Sequence, residues 1–245
     1  MFRLRSSGGL VGAVGGRVDS VPMILLHCVT VPARLPARVI ARWLGQLSAR
    51  RAAVLARGLR AGQGLERLTG VALLAHVARC LSLPPLSLVT DVPGSKPRWP
   101  TGPDFSIAHG AGVAACAVAP PGIAIGVDLE RIGDVELGSL RLVTSSAERM
   151  RVSAGEFNAA ALWTGKEAVL KAAGAGVLAA ARVEIDGAIG HHAGRDYHLA
   201  RIDLGGNILL SLATTAAIEV PAVNWLAPSM LFDDPPAGGN RRSKA

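Results

Sequence analysis

The sequence predicts an α+β fold made of two similar αβ halves, on three observations. Short extended runs and longer helical runs follow one another as strand, helices, strands, helices, strands. Glycine and proline gather at the joins, and Pro120-Pro121-Gly122 marks a break near the middle. Half of the 245 residues are hydrophobic, 18% are charged, and mean hydropathy is +0.36, a balance that buries a core rather than leaving the chain unfolded.

The elements follow in order. Residues 1–22 are rich in Gly, Ser and Arg without a period, and they are expected to form a disordered extension, with Met23 a candidate start of translation. Their apolar stretch, Leu10 to Val14, is too short and too broken by glycine for a signal sequence. The glycines between Gly9 and Gly16 have the wrong spacing for a dinucleotide loop, and no strand precedes them. Residues 23–31, rich in Ile, Leu and Val, read as a strand. From Pro36 to about Leu81, apolar residues such as Leu44, Leu47, Leu55, Leu59, Leu68 and Val77 recur at three and four. Gly45, Gly62 and Gly64 divide this stretch into two or three helices.

After Pro84-Pro85 the pattern becomes extended at 86–89, 105–108, 113–119 and 123–129, with turn residues between. Residues 137–150 read as a helix, and 156–173 as a stronger one stopped by Gly174. Strands are expected at 183–185, 197–204, 208–213 and 217–220. The tail from 233 to 245 is polar and Pro/Gly-rich and is expected to be disordered. The resulting organisation is an N-terminal half at 23–119 and a C-terminal half at 120–232.

Charge narrows the function. Lys plus Arg total 26 against 18 acids, a net charge of +8, so the partner or substrate is anionic: nucleic acid, a phosphate ester or an acidic protein. The helical stretch carries Arg42, Arg50, Arg51, Arg57, Arg60 and Arg67, either a solvated face or a phosphate- and partner-contacting one. Aromatic residues make up 4%, too few for a base-stacking module. No uncharged apolar run is long enough to span a membrane. Cys28, Cys80 and Cys116 lack metal or redox spacing and read as reduced thiols of a cytoplasmic protein. No GxSxG, HExxH or nucleophilic-cysteine motif is present.

Four segments carry chemistry. Asp128 and Glu130 alternate on a strand and share one face, as either an oxygen site for Mg²⁺ or the solvated acids of an edge strand. Trp163, Glu167 and Lys171 share one helix stripe. The chain has only four lysines, Lys96, Lys166, Lys171 and Lys244, which singles out the two on this helix. Gly165-Lys166 is not a phosphate loop, because Glu167 follows where Ser or Thr is needed. Gly94-Ser95-Lys96-Pro97 and Phe105-Ser106-Ile107-Ala108-His109-Gly110 complete the set, with His109 either structural or a phosphate donor.

In this order the segments Lys96-Pro97, Phe105 to His109, Gly126-Val127-Asp128-Leu129-Glu130, and Trp163 to Lys171 followed by Gly174 and Gly176 resemble the 4′-phosphopantetheinyl transferases of the larger, surfactin-synthetase-activating type. The resemblance implies two αβ halves forming a pseudo-twofold dimer within one chain, with coenzyme A in the cleft between them. It implies Mg²⁺ held by Asp128, Glu130, Glu167 and the pyrophosphate, with Glu167 also the general base. It places Lys96 and His109 on the 3′-phosphate of coenzyme A, and Lys171 and Arg51 on phosphate. The implied reaction moves phosphopantetheine to a serine of an acidic apo acyl or peptidyl carrier protein and releases 3′,5′-ADP. A monomer without nucleic-acid or membrane partners is expected. The chain departs from the usual family pattern at Ala108 and Gly110, where hydroxyl residues are common, and a hydroxyl at 108 is expected to reach the 3′-phosphate. The rival reading is a catalytically inert basic protein that holds an acidic partner or nucleic acid.

Overall fold

The structure is a computed structural model that describes residues 23–61, 64–90, 92, 95–217 and 219–233. The expected extension 1–22, the tail beyond Asp233, and Gly94 lie outside the described residues.

The chain forms a mixed α/β molecule with two sheets. The first strand, β1 (Leu25–Thr30), leads into three helices: α1 (Ala37–Leu44), α2 (Ala49–Arg60) and α3 (Gly64–Cys80). Ser48 caps α2, its side chain accepting from the Arg51 N–H. The hairpin β2 (Asp104–Gly110) and β3 (Val113–Ala119) follows, then β4 (Ile125–Arg131). The helices α4 (Ser146–Ser153) and α5 (Ala159–Ala173) precede β5 (Glu184–Asp186), β6 (Ile189–His192), β7 (Arg195–Asp203) and β8 (Ile208–Thr214). The chain closes with β9 (Val223–Leu226) and a last turn of helix, α6 (Ser229–Phe232).

One sheet has the strand order β2-β3-β1-β9 and the other β4-β8-β7-β6-β5. All pairs are antiparallel except β1 with β9. Strand alternation gives each sheet two working faces. On β3, Ala114, Cys116 and Val118 join the helix-side core with Trp43, Leu68 and Leu73. Ala115, Ala117 and Ala119 point the other way, into a core shared with Val127, Leu129 and Leu210 of the second sheet. Beyond that sheet, Leu162, Val169 and Leu170 of α5 pack with Tyr197 and Leu199. The layers therefore run helices, sheet, sheet, helix, and the small residues of β3 let the two sheets approach.

Several expectations change. Residues 86–89 form no strand; Leu86–Leu88 is a 3₁₀ turn after Pro85, with Leu86 buried. The expected helix at 137–150 divides into a 3₁₀ turn (Leu137–Leu140) and α4, because a capping box at Ser145 and Glu148 starts a new helix. Residues 189–192 add β6, which the sequence reading did not contain. The strand expected at 217–220 instead forms at Val223–Leu226, where it pairs in parallel with β1. The last strand and α6 thus return to the first sheet and its helices: Phe232 meets Trp43 edge to face, and its carbonyl accepts from Arg42. Cys28, Cys80 and Cys116 are unbridged, and burial pushes the Cys28 thiol up to about 12. Among the described residues no helix is long and apolar enough to cross a membrane.

Candidate active site

The site is built where β2 meets β4 and where α5 covers β4. Strand β4 sends Ile125, Val127 and Leu129 into the core between the sheets. Gly126, Asp128 and Glu130 therefore turn toward α5. Gly126 makes this possible: a Cβ there would lie 1.9 Å from the Ala168 carbonyl oxygen of α5. The helix is set by its ends, with Asn158 accepting the Ala161 N–H at one and Gly174 in the left-handed conformation at the other.

This contact brings Lys171 to Asp128. The Lys171 Nζ lies 2.7 Å from Asp128 Oδ1 and 3.9 Å from Glu167 Oε2. Asp128 is only 7% exposed, and its Oδ2 is buried with no hydrogen-bond partner. Burial raises the Asp128 carboxyl above its ordinary range, opposed by Lys171. Glu167 is raised by burial and then by the Asp128 charge. Glu130 is raised by burial and then by Asp128 and Glu167. Glu130 and Glu167 thus both feel the Asp128 charge, and Lys171 opposes the rise in all three carboxyls. Among the described residues, no three His, Cys, Asp or Glu side chains are already gathered as a metal-holding group.

On β2, Asp104, Ser106 and Ala108 share one face, and Phe105, Ile107 and His109 the other. Asp104 Oδ2 accepts the Ile125 N–H at 2.9 Å, and Ser106 Oγ accepts the Val127 N–H at 3.0 Å. These side chains stand where a neighbouring strand's carbonyls would. Lys96 donates to Asp104 and to the Ile125 carbonyl, and burial lowers its ammonium below the usual lysine range, opposed by Asp104. His109 lies on the helix side, its Nδ1 3.8 Å from Glu66 Oε2, and burial followed by the Lys171 charge lowers it. Glu66 also accepts the Gly112 N–H of the β2–β3 turn.

A cleft of about 380 Å³ opens beside Lys171, lined by Arg51, Lys96, Phe105, Ile107, Lys171 and Gly174 among others. A hollow of about 430 Å³ lies elsewhere, between Gly45, Ala78 and the Pro84-Pro85 bend. The structure therefore gathers Arg51, Lys96 and Lys171 around one cleft. It sets Asp128 and Glu167 against the same Lys171, with Glu130 two residues on along β4. His109 is not among the residues lining that cleft. Ala108 corrects an expectation: it is 1% exposed and belongs to the core between the sheets with Cys28 and Leu129, so a hydroxyl there would face β4.

Sequence reasoning missed Asp104, Glu66 and Glu148. Nothing in the sequence pairs Asp104 with Lys96 or Glu66 with His109. Glu148 was detectable, since Ser145-Ser146-Ala147-Glu148 has capping-box spacing. It carries more than the cap. Its Oε1 lies 2.9 Å from the Nζ of Lys166, which is 1% exposed and also donates to the Val183 carbonyl. Lys166 thus faces inward and pins α5 to α4 and to the residue just before β5, while its neighbour Glu167 faces the site.

Residues 124–204 match the family model of the 4′-phosphopantetheinyl transferase superfamily. The matched stretch runs from the start of β4 to the end of β7 and contains Asp128, Glu130, Glu167 and Lys171. Arg51, Lys96 and His109 lie outside it. No curated protein matches the chain.

Proposed function

We propose that this protein transfers the 4′-phosphopantetheine group of coenzyme A to a serine of an apo acyl or peptidyl carrier protein, releasing 3′,5′-ADP. The observation that carries the reading is the meeting of Asp128 and Glu167, inside the stretch that matches the superfamily, with Lys171, which lines a cleft together with Arg51 and Lys96.

A hard divalent cation such as Mg²⁺ fits these residues. The donors Asp128, Glu130 and Glu167 are all carboxylate oxygens, and the buried Asp128 Oδ2 lacks a partner. Mg²⁺ commonly takes one or two carboxylates and completes its shell with water and substrate phosphate, so three converged ligands are not required. When bound, it would supply charge neutralisation at the pyrophosphate.

The chain's own residues account for the rest. Arg51, Lys96 and Lys171 line the cleft and offer positive charge to the phosphates of coenzyme A. Lys96 does so from a fixed place, held by Asp104 and the Ile125 carbonyl. His109 would serve the 3′-phosphate from its place beside Glu66. Glu167, raised above its ordinary range, is suited to take the serine proton directly or through water. The serine Oγ then attacks the phosphorus next to the pantetheine arm, and the bond to the departing 3′,5′-ADP oxygen breaks. Lys171 would stabilise charge that develops on the phosphate. The net charge of +8 suits an acidic carrier protein.

The two halves, each a sheet covered by helices and meeting at β2 and β4, are read as pseudo-twofold partners divided near 120, with β9 and α6 crossing back. The test is incubation with coenzyme A, Mg²⁺ and a panel of apo carrier proteins, followed by intact mass. A carrier heavier by one phosphopantetheine group is expected, and no mass change on any carrier would refute the reading.

A further inference from the structure

Resting on that reading of the cleft, we propose that Lys171 is a relay between two ligands. Its ammonium holds Asp128 until a divalent cation takes that carboxylate, and then turns to the phosphate side of the cleft, so that each ligand favours the other.

Four observations carry this. The ammonium lies 2.7 Å from Asp128 Oδ1, where it neutralises a carboxylate almost wholly buried. The same side chain lines the cleft, so both anionic positions are within its reach. Its side chain is 30% exposed, and a lysine's flexible four-carbon stem allows the head to swing. Asp128 Oδ2 is left without a partner, so Lys171 does not saturate the carboxylate and a second cation has an oxygen to bind. A divalent cation on Asp128 would repel the ammonium at this distance in a poorly solvated site. Lys96 cannot take the same part, because Asp104 and the Ile125 carbonyl hold it. By linkage, a cation that releases Lys171 tightens phosphate binding, and phosphate that captures Lys171 tightens cation binding by the same factor.

The test measures coenzyme A binding by calorimetry in the presence of a chelator, so that no metal contributes. Asp128→Asn removes the nearer of the two carboxylates beside Lys171, leaving Glu167 at 3.9 Å, and should tighten coenzyme A by about ten-fold. Glu130→Gln removes an equal charge nearby without freeing Lys171, and should change binding by about two-fold or less. The double variant Asp128→Asn/Lys171→Met should lose the gain. Lysine side-chain NMR, simple in a chain with four lysines, checks each fold through the buried Lys96 and Lys166 signals and should show the Lys171 signal moved in Asp128→Asn. Equal tightening by Asp128→Asn and Glu130→Gln, or a gain that survives without Lys171, would overturn the relay and leave the transferase reading standing. Absence of coenzyme A binding in every variant and in the unaltered protein, with or without Mg²⁺, would overturn both.

Discussion

Glu130 carries the clearest charge conflict among the site residues. Burial and the charges of Asp128 and Glu167 hold its carboxyl above the ordinary range. An acid whose folded value is raised binds its proton more tightly in the folded state, so stability is full below the ordinary range and falls as pH rises through the raised value. Glu130→Gln should therefore melt at a higher temperature than the unaltered protein at neutral pH in chelator, by less than about 1 kcal/mol because water screens a half-exposed carboxyl. The gain should shrink in acid. A lower melting temperature at neutral pH would show that the carboxylates do not oppose one another. At this scale the site was legible where period alone decides. Alternation put Asp128 and Glu130 on one face, and the i, i+4 spacing put Glu167 beside Lys171. Rarity drew attention to Lys166 and Lys171 alike, but it says nothing of which way a side chain points, and Lys166 faces inward.

Close approach of α5 to β4 decides the site at the scale of elements. Gly126→Ala would drive a Cβ into backbone, the Ala168 carbonyl, which cannot yield as a side chain can. A loss above about 3 kcal/mol in denaturant melts is expected, and a loss under 1 kcal/mol would mean the helix sits less tightly. The Glu148–Lys166 pair fixes the same helix from its other side. Glu148→Ala should lower stability by about 3–5 kcal/mol, because it strands a buried ammonium, whereas Glu148→Leu/Lys166→Met should recover much of that loss. A double variant no better than the single one would contradict this. The long helices and β3 were legible from apolar period and composition. The strands β6 and β9 were not: β6 is short and contains Gly190, and β9 owes its place to β1, nearly two hundred residues earlier. Propensity carries no record of so distant a partner.

For the whole molecule, the two sheets are stitched at β2 and β4 by side chains instead of a backbone ladder. Asp104 and Ser106 accept successive outward N–H groups of β4, and Lys96 closes the seam. Asp104→Ala would leave a buried ammonium and an unpaired Ile125 N–H, and should lower stability by about 3–5 kcal/mol while weakening coenzyme A binding, since Lys96 lines the cleft. Unchanged stability would show that the seam is held by apolar packing alone. The sequence carried the mixed α/β class, but not the seam, because Asp104 and Ile125 belong to neither a common strand pair nor a common motif. The proposed phosphopantetheinyl transfer at Asp128, Glu167 and Lys171 is tested most directly by chromatographic quantification of 3′,5′-ADP released from coenzyme A with Mg²⁺ and an apo carrier. One 3′,5′-ADP is expected for each carrier serine modified by the unaltered protein, and none from Asp128→Asn or with a carrier whose serine is replaced by alanine. Release at an undiminished rate from Asp128→Asn, or release that does not need the carrier serine, would contradict it.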